Sequence, residues 1–401
     1  MKSIPSPTRG EGLTTPRFPA FDRLRAFSML FIVVFHSALA YGQGMPWQIK
    51  DPNRSAAFGL AIWATIGFTL RIFFVMAGFF ARMLYERRGP SSFLNHRVVR
   101  IGIPFVVGVI LWSPVVSSRR GEPFALRPMH FWFLEYLLLT SLIVAAGSTQ
   151  LRSILPPKVL IKADMWFRRL VANWWAPIAL GVLTAALLTL QGVEPDPSSI
   201  ETPESFVPHG VVLTYYTLFF AFGWMLHRCA DVLPTFTRSY RSHLLCGVVI
   251  RAIGAVLFLA RLDRQKRGLE PLLALDVALY LQAGLFTWLM VFGFIGWFER
   301  RFAKDTVLAR YVSESAYWCY LIHPLAVTTL QRWLISVGMP ALAKFLLVAS
   351  ISMIFCFVTY EYLCRYTFVG AVLNGRRTRP AGPRSLAWMQ PSEKSADARS
   401  G

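Results

Sequence analysis

Two histidines lie inside runs apolar enough to be buried in hydrocarbon. His36 sits in DRLRAFSMLFIVVFHSALAY (22–41) and His323 in SESAYWCYLIHPLAV (313–327). An ionisable side chain is costly in a bilayer, so it ordinarily faces the interior of a helix bundle or a water-filled cavity where it has a task. A neutral imidazole can take the proton from a hydroxyl as that oxygen attacks an activated acyl carbon, or carry the acyl group itself. Neither route needs a metal or a nucleotide. A single buried histidine is more often a satisfied packing residue, but two of them with a buried arginine in one bundle point to chemistry.

The cations come next. Asp22 and Arg25 are three apart, on one helical face, where they can pair with each other, anchor the helix at the interface or grip an anionic group. Arg71, in FTLRIFFVMAGFF (68–80), cannot lose its charge and has apolar residues on both sides. It must either neutralise an internal carboxylate (Glu135, Asp276, Glu314 or Glu361) or line a passage for a phosphate- or carboxylate-bearing ligand. RMLYERRGPSSFLNHRVVRIGIP (82–104) reads as a basic hairpin, with Arg97 and Arg100 on one face of an incipient helix. Guanidinium forks match phosphate oxygens, although a basic loop is also ordinary in membrane proteins.

The elements that must hold these residues are apolar helices. With 55% hydrophobic and 16% charged residues over 401 positions, the chain reads as an all-α, polytopic membrane bundle. Runs of about 20 apolar residues suit a hydrocarbon layer about 30 Å thick. Ten such spans are expected, near 24–41, 57–80, 101–117, 130–148, 176–191, 209–226, 244–260, 272–297, 311–335 and 342–363. With the N-terminus inside, the inside segments hold about three times as many Lys and Arg as the outside loops, so both termini are expected in the cytoplasm. On an ideal helix His36 then stands roughly 16 Å deeper than Arg25.

Residues 1–20 are expected as a disordered cytoplasmic N-terminus, 21–373 as the membrane domain and 374–401 as a basic, disordered cytoplasmic tail. Two outer loops stand out, RLDRQKRGLE (261–270), basic where few cations are expected, and the acidic QGVEPDPSSIETPESFVP (191–208). Both are solvated loops or grips for a polar external substrate. A signal peptide ending at Ala38-Leu39-Ala40 is an alternative that would discard His36. The five cysteines form no C-x-x-C pair and read as buried free thiols. The net charge of +21 comes without a nucleic-acid reader motif, so no nucleic-acid partner is expected. No metal-ligand spacing, Walker or dinucleotide glycine pattern, or G-x-S-x-G turn is present.

Four segments in order, DRLRAF with the later FH at His36, FFVMAGFF (73–80), RVVRIGIP (97–104) and SAYWCYLIHP (315–324), resemble the motifs of the acyltransferase 3 family of integral membrane O-acyltransferases. The resemblance covers about Phe21 to Arg377. MHFWFLEYLL (129–138), YYTLFFAFGWML (215–226) and RYTFVGAVLNGRR (365–377) are most similar to its glucan-succinylating subgroup. The family implies about ten helices, acyl-CoA as a donor on the cytoplasmic side with no bound cofactor, and a cell-envelope glycan as acceptor. It also implies a multi-pass location in the inner membrane and leaves room for glycan-synthesis partner proteins.

By the same resemblance His36 is the catalytic residue, with Arg25, Arg97 and Arg100 near the donor. Asp22 and His323 complete the expected catalytic set, and Arg71 is expected to stabilise negative charge in the passage. Two positions depart from the family pattern. Ala77 stands where many members have serine, and the position five after Trp132, where many have glutamate, is Leu137, with Glu135 two places early. The rival readings are a transporter or flippase for an anionic glycan or lipid, and a non-catalytic scaffold.

Overall fold

The structure, a computed structural model, describes residues 17–190, 203 and 205–375. Most of the expected disordered segments 1–20 and 374–401 and most of the acidic loop 191–208 lie outside the described residues, while Pro19 and Ala20 already belong to the first helix. Among the described residues the regular structure is helical, with one isolated bridge between Gly42 and Ser55. The chain is a multi-pass membrane protein by the length and apolarity of its helices.

Six stretches are long and apolar enough to cross a bilayer: Ala56–Arg119, Met129–Ile154, Gly210–Arg228, Ala230–Lys266, Leu273–Arg301 and Ala341–Cys364. A seventh counts if the bent pair Pro157–Ala172 and Ala176–Thr189 is one span, with 106° between its halves. The helices that carry the histidines are not among the six. α1 (Pro19–Leu39) begins with Asp22, Arg23 and Arg25, and α11 (Val307–Leu334) is interrupted by Glu314, His323 and Pro324. Their polar content is the mark of helices that face a bundle interior.

α1 and α11 run parallel. Ser313 Oγ donates to the Asp22 carbonyl (3.1 Å) near their starts, and Gln331 Nε2 to the His36 carbonyl (3.0 Å) near their ends. The end of the bundle where both begin is the lower end. There Arg23 donates to the Lys304 carbonyl (2.6 Å) and to Thr306 Oγ1 (3.0 Å), while Thr306 caps α11 through the Ala309 amide. In the adjoining turn, partial burial would raise the Asp305 carboxyl, but the Arg310 hydrogen bond and the charges of Arg17, Arg310 and Arg23 hold it below the usual range.

The second expected span is broken. α2 (Ala56–Thr65) stops at Ile66, and α3 (Thr69–Arg97) starts after Gly67-Phe68. Carbonyls freed inside an apolar bundle need donors. Arg251, on α9 (Leu233–Lys266), supplies its guanidinium to the Trp63 and Ile66 carbonyls and lies over the Trp63 ring, and Thr287 Oγ1 donates to the Gly67 carbonyl at 2.8 Å.

Three further expectations change. The basic stretch 82–104 is not a looped hairpin: α3 kinks at Gly89 (φ 74°) before Pro90 and continues through a π turn, Val98–Gly102, into α4 (Ile103–Arg120). Arg82 is not a loop residue but a buried one, paired with Glu86 at 2.6 Å. α9 extends to Lys266 and so takes up most of the expected basic loop RLDRQKRGLE. An amphipathic helix that the sequence reading did not separate, α6 (Pro157–Ala172), follows α5 (Trp132–Ile154) and turns sharply into α7 (Ala176–Thr189). The cysteines are free, four buried and Cys246 half-buried.

α8 (Gly210–Arg228) meets α3 with no side chain between them. A Cβ on Gly78 would lie 2.0 Å from the Phe220 carbonyl oxygen, and one on Gly223 1.9 Å from that of Val75. Small residues let membrane helices gain backbone-to-backbone dispersion contact. The long α10 (Leu273–Arg301) runs through the middle of the bundle, and α12 (Ala341–Thr359) flanks α11 and ends in a π turn, Tyr360–Cys364, before the short α13 (Phe368–Asn374). Lys344 on α12 and Asp51 in the loop after α1 form a fully buried ion pair at 2.7 Å.

Gly223→Ala is expected to force α3 and α8 apart at a cost of about 1–3 kcal/mol, read as a lower Tm of the detergent-solubilised protein; an unchanged Tm would show that the crossing is looser than described. Lys344→Met leaves Asp51 buried and unpaired, a loss of about 3–5 kcal/mol. Adding Asp51→Leu to it should recover most of that loss in the same melting assay.

Candidate active site

Pro324 shapes α11 where the site is built. A proline has no N–H for the carbonyl four residues back, and its ring pushes that carbonyl aside. The carbonyl so released belongs to Tyr320, and His323 Nδ1 lies 2.7 Å from it, with the Cys319 carbonyl at 3.2 Å. A carbonyl oxygen only accepts, so Nδ1 of His323 carries the hydrogen. Its Nε2 is then the acceptor in the neutral ring.

That Nε2 is 2.7 Å from Nδ1 of His36. The two rings are within 9° of parallel with centroids 5.0 Å apart, as an edge-to-edge hydrogen bond in a common plane requires. Nδ1 of His36 therefore donates, and its Nε2 keeps a lone pair. His323 is fully buried and His36 half-buried. The relay runs from the Tyr320 carbonyl through His323 to His36, and it leaves a basic nitrogen at its end.

Other groups fix the ring of His36. Trp47, in the loop after α1, lies nearly parallel to it (18°, centroids 5.3 Å) and donates its indole N–H to Gln331 Oε1 at 2.9 Å. Gln331 Nε2 donates to the carbonyls of His36 (3.0 Å) and Ser37 (3.2 Å), so this buried amide ties α11, α1 and the loop together. The Lys344–Asp51 pair pins the far side of the same loop. His130 is the third histidine, with its ring centroid 6.1 Å from that of His323. It is turned inward by a short 3-10 turn, Met129–Phe131, in which Met129 takes a φ of +47°. The Tyr320 hydroxyl donates to the His130 carbonyl at 2.5 Å.

Sequence reasoning singled out His36 and His323, and the structure brings them into direct contact. It passed over His130, Gln331 and Trp47. His130 opens an apolar run, a signal of the same kind as the two histidines but weaker, whereas Gln331 stands among Thr328, Thr329 and Arg332 and gives none.

Asp22 is elsewhere. It lies fourteen residues before His36, about 21 Å down the same helix, and its carboxylate pairs with Arg25 at 3.2 Å and reaches Arg17 at 3.8 Å. It does not contact either histidine. Of the two readings of Arg71, the internal carboxylate partner is not found among the described residues. Arg71 Nε donates to the Tyr215 hydroxyl at 2.9 Å, and the guanidinium sits by the rings of Tyr215 and Tyr216. Asp276 pairs instead with Arg261 and Glu361 with Arg365. Phe68 touches Phe31, five residues before His36, so Arg71 enters the bundle below the level of the histidine pair.

Arg25, Arg97 and Arg100 converge at the lower end, close enough for their charges to repel. Arg97 stacks on Phe93, and its Nε is buried without a hydrogen-bond partner among the described residues. Arg100 borders a groove of about 250 Å³ lined also by Arg88, Ser92, Asn95 and His96. Tyr317 joins this end to the histidines, because its hydroxyl donates to the Arg100 carbonyl at 2.9 Å and Tyr320 and His323 follow it up α11. Such a cluster, with Asp22 as the carboxylate in contact, can hold a polyanion at one end of a path whose other end is a base. Among the described residues no three of His, Cys, Asp and Glu are grouped to hold a metal ion.

The model of the acyltransferase 3 family, described as an acyltransferase domain, matches residues 18–361. Glucans biosynthesis protein C of Escherichia coli K12 is 30% identical over 96 residues, 22% of this chain and 23% of that protein. Its counterpart in Salmonella paratyphi B is 30% identical over 143 residues, 31% of this chain and 37% of that protein. The chain thus matches only about a quarter to a third of the length of these curated relatives. No solved structure matches it. The histidine pair, the basic lower end and a family match that runs across both agree, and the chain belongs to the acyltransferase 3 family.

Proposed function

We propose that the protein is a membrane-embedded O-acyltransferase that moves an acyl group, succinyl being the favoured case, from acyl-CoA to a hydroxyl of a cell-envelope glycan. The observation that carries the reading is the in-plane hydrogen bond from His36 Nδ1 to His323 Nε2, which leaves His36 Nε2 as a base inside the bundle. The name of the partially matched relatives, glucans biosynthesis protein C, supports a glucan as the acceptor class.

In this mechanism His36 Nε2 takes the proton of the acceptor hydroxyl as its oxygen bonds to the thioester carbon. The tetrahedral adduct collapses, the carbon–sulfur bond breaks, and the imidazolium returns the proton to the leaving thiolate. While His36 is cationic its Nδ1–H bond to His323 becomes charge-assisted and stronger. His323 thus fills the orienting position that a carboxylate holds in a Ser-His-Asp triad. Arg25, Arg97 and Arg100 hold the phosphates of CoA at the lower end, and Arg71, below the histidines, stabilises negative charge along the passage. Asp22 orients Arg25 and takes no proton from the acceptor.

The topology that fits is about ten spans with both termini in the cytoplasm, in the inner membrane. It rests on the excess of Lys and Arg in the inside segments and counts α1, α11 and the broken α2–α3 as spans. The lower end then faces the cytoplasm, where acyl-CoA is available, and the histidines stand in the outer half.

His36→Ala is expected to lower acyl transfer by about 10²–10⁴-fold with membrane insertion and Tm kept. The assay is CoA release from succinyl-CoA by the protein in liposomes, together with mass spectrometry of cell-envelope glycans; transfer at the wild-type rate would end the histidine mechanism. Arg97→Ala and Arg100→Ala should each raise the KM for acyl-CoA by about tenfold or more, the value of a charge-assisted hydrogen bond, with kcat nearly unchanged. Loss confined to kcat would remove them from donor binding.

A further inference from the structure

We infer that Pro324 is a positioning residue that decides which nitrogen of His36 is basic. The inference rests on the reading of His36 as the base and extends it to a residue that touches neither substrate.

The argument starts from hydrogen inventory. In an uninterrupted helix the Tyr320 carbonyl would accept the N–H of residue 324. Proline has none, so that carbonyl is left for His323 Nδ1–H, at 2.7 Å. A buried carbonyl without a donor costs about 1–3 kcal/mol, and this cost holds His323 in its Nδ1–H form. The consequence passes along the chain of rings. With hydrogen on Nδ1, His323 Nε2 can only accept, His36 Nδ1 must donate, and the lone pair of His36 is confined to Nε2.

Reversing His323 reverses everything. With hydrogen on Nε2, His323 would donate to His36 Nδ1, the hydrogen of His36 would move to its own Nε2, and the nitrogen left exposed could no longer take a proton. An N–H at position 324 makes that state accessible, because the Tyr320 carbonyl is then satisfied by the backbone. His130 does not enforce the choice, since its Nε2 faces the Leu321 carbonyl at 3.4 Å and not an imidazole nitrogen. Gln331 and Trp47 hold the backbone and ring plane of His36 and do not distinguish its nitrogens.

The test uses the full chain in nanodiscs with ¹⁵N-labelled histidine, the resonances assigned by His36→Ala and His323→Gln. The wild type should show His323 and His36 both in the Nδ1–H form. Pro324→Ala, or Pro324→Gly if the first does not fold, should give a mixture with the Nε2–H form of both. It should also lower kcat in proportion to the Nε2–H fraction, about twofold at equal populations and about tenfold where that form holds nine-tenths, with the KM for acyl-CoA unchanged.

Unchanged tautomers in both proline variants would overturn the inference. The two readings fail separately. Proline-dependent tautomers in a protein without acyl transfer would sink the acyltransferase mechanism alone, and His36-dependent transfer with proline-independent tautomers would sink this inference alone.

Discussion

The hydrogen bond between His36 and His323 sets the tightest requirement on this bundle. It demands that two helices from opposite ends of the chain run parallel, in register, with two rings in one plane at 2.7 Å. The surrounding contacts serve that demand. Ser313 and Gln331 fix the helix register at two levels, the buried Lys344–Asp51 pair holds the loop that lays Trp47 along His36, and Pro324 leaves the Tyr320 carbonyl to hold the second imidazole. A displacement of either helix by one residue, about 1.5 Å, would break a bond that tolerates only tenths of an ångström.

The arrangement is made of neutral parts. A carboxylate in the place of His323 would bring a charge into a site with little water, whereas an imidazole offers an acceptor nitrogen without one. The arginines proposed to bind the donor, Arg25, Arg97 and Arg100, lie lower, with Arg71 beside the rings of Tyr215 and Tyr216. In the proposed mechanism polyanion binding and proton transfer are therefore separated along the length of α11, and its Tyr317 and Tyr320 lie between them.

Much of this was legible in the sequence because the bilayer penalises polarity so heavily. His36, His323 and Arg71 stood out by solvent mismatch alone, and helix positions followed from the length of the apolar runs. What was hidden depends on partners distant in sequence. The period of a helix does not reveal that Tyr215 and not a carboxylate would meet Arg71, or that Asp22 would stay with Arg25 at the lower end. The break at Ile66–Phe68 was masked because all its residues are apolar except Gly67, and it is stable only because Arg251 and Thr287 arrive from other helices. His130 was overlooked because one polar residue at the edge of a run looks like an interfacial anchor.

The crossing of Gly78 and Gly223 carries a mechanical meaning. Two backbones in direct contact have no side chains between them to change rotamer, so α3 and α8 cannot roll or slide past each other by small adjustments. That pair is one stiff wall of the bundle, and α10 makes similar close crossings with α7 at Gly284 and with α9 at Gly296. A change of shape that admits the proposed acceptor has to leave the Gly78–Gly223 crossing as it is.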